Sequence, residues 1–192
     1  LLRRGVDPAG INALWARLPE WAFWRLSPDQ LEWTTESMLE AKREDVIAIR
    51  PVQPHGVSEL LVSVPDHDGL FAAITTVLDE MGMDVMSARV LTTLDGFSYD
   101  LFQVMDQHGH VINEVAAAAL VARLEVATSD ETPRAFVPRK LPRRLRHFDS
   151  NTQVQIKEDP DREGTVVLLV CNDQPGLLSR VSSAIFKQGL QV

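Results

Sequence analysis

Apolar residues recur along this chain with two different periods. In residues 11–18, Ile11, Leu14, Trp15 and Leu18 keep the three-and-four spacing of one helix face, and Pro19 ends the run. Ser27, Pro28 and Gln30 then supply an N-cap hydroxyl, a proline at the first helical position and an amide at the third, which predicts a capping box opening a helix that runs to about residue 42. After a proline-bearing linker at residues 50–54 the period changes, and residues 58–64 read as a largely apolar strand. Pro65, Asp66, His67, Asp68 and Gly69 punctuate its end. Leu70, Ile74, Val77, Leu78 and Met81 mark one face of a following helix, and Gly82 closes it. Residues 84–93 and 97–105, joined by Leu94-Asp95-Gly96, predict a hairpin; residues 111–126 predict a second helix. A polar, proline-rich stretch over 128–150 precedes a short alternating strand at 152–157.

Strand, helix, hairpin, helix, strand is the order of the split βαβ unit, so the expected class is α+β with a ferredoxin-like βαββαβ fold: one antiparallel four-stranded sheet carrying two helices on one face. The chain also repeats itself. Laying residues 164–192 on residues 57–85 without a gap matches Leu61 with Leu168, Asp66 with Asp173, Gly69 with Gly176, Leu70 with Leu177, Gly82 with Gly189 and Val85 with Val192. These identities concentrate at the strand-to-helix turn and the helix stop, where backbone geometry is most demanding, and we read a duplication. The expected division is a helical connector over 1–50, a first module over 51–158 with the 128–150 spacer before its last strand, and the start of a truncated second module over 159–192. A half-module of this kind predicts exposed apolar surface unless it packs on the first module or on another chain.

With 45% hydrophobic and 24% charged residues the chain has a globular composition, which removes disordered and collagen-like readings. The net charge of −8 disfavours nucleic acid and anionic membranes as partners. Cys171, the single cysteine, allows no internal disulfide and no thiolate metal cluster. No stretch approaches the roughly 18 uncharged apolar residues of a membrane span, and residues 1–5 lack the apolar run of a secretory signal, so a cytoplasmic location is expected. Position 1 is Leu, and residues 189–192 stop where a new strand should begin; the sequence reads as an interior segment. All four tryptophans, Trp15, Trp21, Trp24 and Trp33, fall in the connector and predict a packing surface there.

The turn Asp173-Gln174-Pro175-Gly176-Leu177-Leu178, between an apolar strand and a helix, resembles the signature turn of ACT domains, the amino-acid-sensing modules of metabolic enzymes. The first copy, Asp66-His67-Asp68-Gly69-Leu70-Phe71, keeps the Asp and Gly but has Asp68 where that family usually has proline. The hairpin over residues 87–100, the connector with Leu18-Pro19-Glu20 and residues 27–33, and the basic residues 143–148 are similar to the C-terminal ACT region of the bacterial protein-PII uridylyltransferase/uridylyl-removing family. That resemblance implies a parent enzyme with a nucleotidyltransferase domain and an HD phosphohydrolase domain ahead of this region, Mg2+ as the parent's cofactor, the PII protein as its substrate and glutamine as its effector. It implies pairing of ACT modules, within a chain or in a homo-oligomer. No cofactor and no catalytic residue is expected within the segment itself.

The turns themselves suit a free amino acid. Helix N–H groups after Gly69 and Gly176 lack intrahelical partners and face an α-carboxylate with the positive end of the helix dipole, while Asp66 or Asp173 accepts from the α-ammonium. The ligand candidates are Asp66, Gly69, Leu70, Asp173, Gly176 and Leu177, with the second turn the closer match to the pattern. Other motifs carry less. His67-Asp68 spells the HD doublet but lies in a turn without an accompanying ligand set, and His108 with His110 lacks a third metal ligand. Basic residues over 134–147 fit a solvated loop or an electrostatic contact to another domain or to PII. Two alternatives stay open: an ACT module regulating another amino-acid enzyme, and a βαββαβ nucleic-acid-binding module, for which Phe97, Tyr99 and Phe102 are the only support.

Overall fold

In a computed structural model of the chain, described for residues 6–41, 43–53, 56–129, 152–159 and 164–190, the N-terminal part forms three helices, α1 (Pro8–Trp15), α2 (Ala22–Arg25) and α3 (Pro28–Glu40). The capping box opens α3 as expected: Gln30 N–H donates to Ser27 Oγ at 3.1 Å, and Ser27 N–H donates to Gln30 Oε1 at 3.1 Å. Then come β1 (Val46–Val52), β2 (Val57–Ser63), α4 (Leu70–Glu80), β3 (Asp84–Arg89), β4 (Asp100–Met105) and α5 (Glu114–Thr128). Beyond the basic 134–147 stretch, which lies outside the described residues, are β5 (Gln153–Asp159), β6 (Gly164–Val170) and α6 (Leu177–Lys187).

The first sheet is antiparallel in the order β1-β2-β4-β3. Two strand assignments therefore differ from the expectation. Residues 46–52, read as connector and linker, form an edge strand paired with β2 from Val46↔Ser63 to Val52↔Val57. Pro51 hid it, yet an edge strand tolerates proline because one row of its N–H groups faces away from the ladder. The strand expected at 152–157 does not close this sheet; as β5 it pairs with β6, from Gln153↔Val170 to Asp159↔Gly164. A short connection favours hairpin pairing, and the edge of β2 is already taken by β1.

With this correction the duplication lengthens. Hairpin β1–β2 and hairpin β5–β6 have the same length and register, and α4 and α6 each span 11 residues, all offset by the 107 positions that separate Thr75 from Ser182. The repeating unit is a hairpin followed by a helix.

The first sheet is buried on both faces. On one, Leu60, Val62, Phe102 and Val104 pack against Ile74, Val77 and Leu78 of α4 and Leu120 and Leu124 of α5. On the other, Leu61, Tyr99 and Leu101 pack against Leu18, Ala22 and Leu26 of the N-terminal helices. Strand β2 is consequently buried along nearly its whole length rather than at alternate positions, its polar Ser58, Glu59 and Ser63 included. Trp15 donates to Thr35 Oγ1 at 3.0 Å and Trp33 lies under the Arg50 guanidinium, while Trp24 is 86% exposed. The second sheet fares differently: Val166, Val167, Leu168 and Val170 remain about half exposed, whereas α6 packs against α4.

Truncating Ile74, fully buried between sheet and α5, is expected to cost about 2–5 kcal/mol as Ile74→Ala in urea denaturation. Val115→Ala on the exposed side of α5 should stay within about 0.5 kcal/mol. Equal losses would place the core elsewhere.

Candidate functional site

Strand β2 ends at Ser63, and the chain reaches α4 through a tight turn in which Gly69 takes a φ of 83°, a left-handed conformation that favours glycine. Leu70 N–H donates to His67 O at 3.1 Å, and Ala73 N–H to Gly69 O at 2.9 Å. The second turn repeats this bond for bond: Gly176 has a φ of 70°, Leu177 N–H donates to Gln174 O at 3.0 Å, and Arg180 N–H to Gly176 O at 3.0 Å. Neither glycine cap provides a side-chain acceptor of its own, so the first N–H groups and the positive dipole end of each helix face whatever lies beyond the turn.

Helices α4 and α6 pack antiparallel, so each turn lies against the far end of the other copy's helix: Gly176 beside Asp79, and the turn at Gly69 beside Phe186. Thr75 and Ser182, the same position in the two copies, share a buried hydroxyl–hydroxyl hydrogen bond of 2.7 Å, and Thr76 bonds Ser179 at 3.2 Å. The contact lies on a local pseudo-twofold axis, and a cleft opens on each side of it. Asp66, Gly69 and Leu70 line the first, which Ser182 and Phe186 of α6 and Leu190 just beyond it close. Asp173, Gly176 and Leu177 line the second, closed by Thr75 and Asp79 of α4 and Met83 just beyond it. The six residues expected from the sequence thus fall into two clefts of three, each completed by the other copy's helix. Those completing residues were missed, although their four-residue spacing on one helix face, and their exact offset between copies, mark them once the pairing is known.

Asp100 was missed as well. It lines the first cleft at the start of β4, is 1% exposed, and its Oδ1 has no hydrogen-bond partner among the described residues. Burial first, and the neighbouring Asp66 carboxylate second, push its pKa well above the usual carboxylate range; a bond from the Leu91 backbone N–H opposes the shift. Asp66 itself accepts from Thr92 Oγ1 at 2.5 Å, and its N–H donates to Gly96 O at 2.9 Å. The cleft therefore sets the start of a helix opposite carboxyl groups, a pairing of positive and negative ends that matches a zwitterion.

The loop between β3 and β4, which contributes Val90, Leu91, Thr92 and Ser98 to this cleft, is held by the N-terminal helical region. Leu94 N–H donates to Arg17 O at 2.8 Å, Arg17 Nε lies 2.6 Å from Asp95 Oδ2, and the Arg17 guanidinium stacks over Phe97. Thr93 and Arg17 hold the Asp95 carboxyl below its usual range. Elsewhere, His67 Nδ1 faces Asp68 O at 3.1 Å, and among the described residues no group of three or more His, Cys, Asp or Glu is placed to hold a metal ion. No helix of the described residues is long and apolar enough to cross a membrane.

The raised pKa of Asp100 gives stability a definite pH dependence. The folded state holds this proton more tightly than the unfolded chain, so the contribution is complete below the unfolded pKa of about 3.9 and is lost as pH rises through the folded value. Asp100→Asn, which cannot ionise, should therefore melt higher than the parent at neutral pH and converge with it near pH 4, each tenfold difference in proton affinity being worth about 1.4 kcal/mol. Melting curves across that range check it; a destabilised variant at neutral pH would contradict the buried-acid assignment.

No family model matches the chain, and no solved structure matches it. Curated relatives do. A bifunctional uridylyltransferase/uridylyl-removing enzyme of Vibrio campbellii is 29% identical over 194 residues, covering 100% of this chain, and one of Methylococcus capsulatus is 29% identical over 196 residues. The enzyme of the same name from Xanthomonas axonopodis pv. citri is 33% identical over 191 residues, 98% of this chain. In each case the chain spans 22% of the relative's length. The resemblance carried by the turn, the connector and the spacer thus extends over the whole sequence, and the chain is similar throughout to one region of the bifunctional uridylyltransferase/uridylyl-removing enzymes.

Proposed function

We propose that this chain is the amino-acid-sensing region of a bifunctional enzyme that uridylylates and deuridylylates the PII protein, with glutamine as the effector and the hairpin-helix repeats serving as paired ACT modules in its C-terminal part. The observation that carries this reading is the pair of turns with the same backbone hydrogen bonds, each opening a helix into a cleft that the other copy's helix closes. The α-carboxylate of the ligand goes to the N–H groups at the start of α4, and its α-ammonium to Asp66 and Asp100, whose deprotonation the ammonium favours. Catalysis, PII and the expected Mg2+ belong to other parts of the parent enzyme, and a cytoplasmic location goes with that assignment.

Sensing needs a route from the cleft. The loop over residues 90–98 lines the first cleft and is bonded to Arg17, so a ligand that draws Thr92 or Leu91 inward also pulls on the N-terminal helices. Glutamine then shifts the parent's activities to the extent that it binds one arrangement of this loop better than another.

ACT regulation of another amino-acid enzyme would use the same cleft, but the matched relatives favour the uridylyltransferase reading. A nucleic-acid-binding module is disfavoured by burial: Tyr99 and Phe102 are at most 1% exposed, leaving no stacking platform on the first sheet.

Calorimetric titration of the chain with L-glutamine is expected to show saturable binding at millimolar concentration or below, weakened at least about tenfold in Asp66→Asn, a loss of some 1.4 kcal/mol. Glutamine amidated at its α-carboxylate should not bind. Absence of heat with millimolar L-glutamine would refute the reading.

A further inference from the structure

The two clefts are equivalent by the repeat but are closed by different side chains. Position 79 on α4 and position 186 on α6 correspond; Asp79 lines the second cleft and Phe186 the first. Asp79 is 8% exposed, and its carboxylate lies against the cap of α6. A Cβ built on Gly176 would stand 2.6 Å from Asp79 Oδ2 and 2.9 Å from Oδ1, so any other residue there would displace the carboxylate.

This placement has an electrostatic logic. Asp79 belongs to the last turn of α4, where a negative charge opposes the helix's own dipole. The start of α6 is the opposite pole: eleven helical residues begin at a glycine cap, with no acidic residue in the first turn and no side-chain cap of their own. The carboxylate is thereby compensated by the partner helix, at the position where a ligand carboxylate would otherwise sit. In the first cleft the corresponding ring of Phe186 brings no charge to the start of α4, and the buried carboxyl is Asp100 on the strand side.

We infer that Asp79 is a tethered anion that occupies the second cleft, so that of the two turns only the one at Asp66, Gly69 and Leu70 takes the effector. The inference rests on the amino-acid-sensing reading above and reverses the ranking that the Asp-x-Pro-Gly pattern alone assigns to the turns. It also makes closure of the second cleft and pairing of the modules a single contact, because Asp79 reaches the α6 turn only while α4 and α6 are side by side.

Calorimetric stoichiometry of L-glutamine on the full chain tests it. The unchanged chain should bind one equivalent, Asp79→Ala and Asp79→Ser should each bind two, and Phe186→Asp, which brings a carboxylate to the start of α4, should bind none while retaining its helical circular dichroism. Two equivalents on the unchanged chain, or one on both Asp79 variants, would overturn the tethered anion and leave sensing intact. No binding by the unchanged chain would overturn both. If either Asp79 variant fails to fold, the other and Phe186→Asp decide: undiminished binding by Phe186→Asp counts against the inference.

Discussion

The close approach of α4 and α6 is the contact on which the rest of the molecule depends. It is made by hydroxyl-bearing side chains of small size, Thr75 and Thr76 on one helix and Ser179 and Ser182 on the other, all nearly inaccessible. Small side chains let two helices lie close, and their hydroxyls would be costly to bury without partners. Each finds them: Thr75 and Thr76 donate to carbonyls of their own helix, at Phe71 and Ala72, which leaves Ser182 and Ser179 to donate across the seam. A bulkier apolar seam would bury more surface but would push the helices apart and spread both clefts, since each cleft has one wall from either copy.

The first module is held from the other side. Its sheet is sandwiched between α4 and α5 on one face and the N-terminal helices on the other, and a buried polar cluster ties these layers. Glu59, 2% exposed on β2, accepts from Gln30 of α3 at 2.7 Å and from Arg50 of β1 at 2.7 and 3.0 Å; Arg50 also pairs with Asp29. A carboxylate at that depth is tolerable because its oxygens are bonded to a guanidinium and an amide. Tyr99, whose burial pushes its pKa up to about 12, donates its hydroxyl to Thr34 of α3 in the same layer. The N-terminal helices are accordingly part of the core around the first cleft, and Arg17 connects them to the loop that forms its rim. The second module has no such backing among the described residues, which is why the same apolar strand pattern is buried in β2 and half exposed in β6.

By itself the sequence determined what depends on neighbours a few positions away. The capping box at Ser27 and Gln30, the proline and glycine stops, the helix faces of α4 and α6 and the left-handed glycine turns all follow from local sterics and hydrogen bonding, and the repeat was legible because such turns admit few residue types. The three residues named at each turn, Asp66, Gly69 and Leu70 and their counterparts Asp173, Gly176 and Leu177, were readable for that reason. Tertiary structure decided the rest. Whether residues 46–52 were linker or edge strand, and which sheet residues 153–159 joined, turned on competition for the edge of β2, a non-local matter that Pro51 obscured. Asp100 looked like an ordinary strand residue and Asp79 like an ordinary helix-end acid; burial beside Asp66 gives the first its unusual proton affinity, and the start of a helix 97 positions away in sequence, at Gly176, gives the second its place. Electrostatic character of this kind is a property of packing and is not written in residue type or spacing.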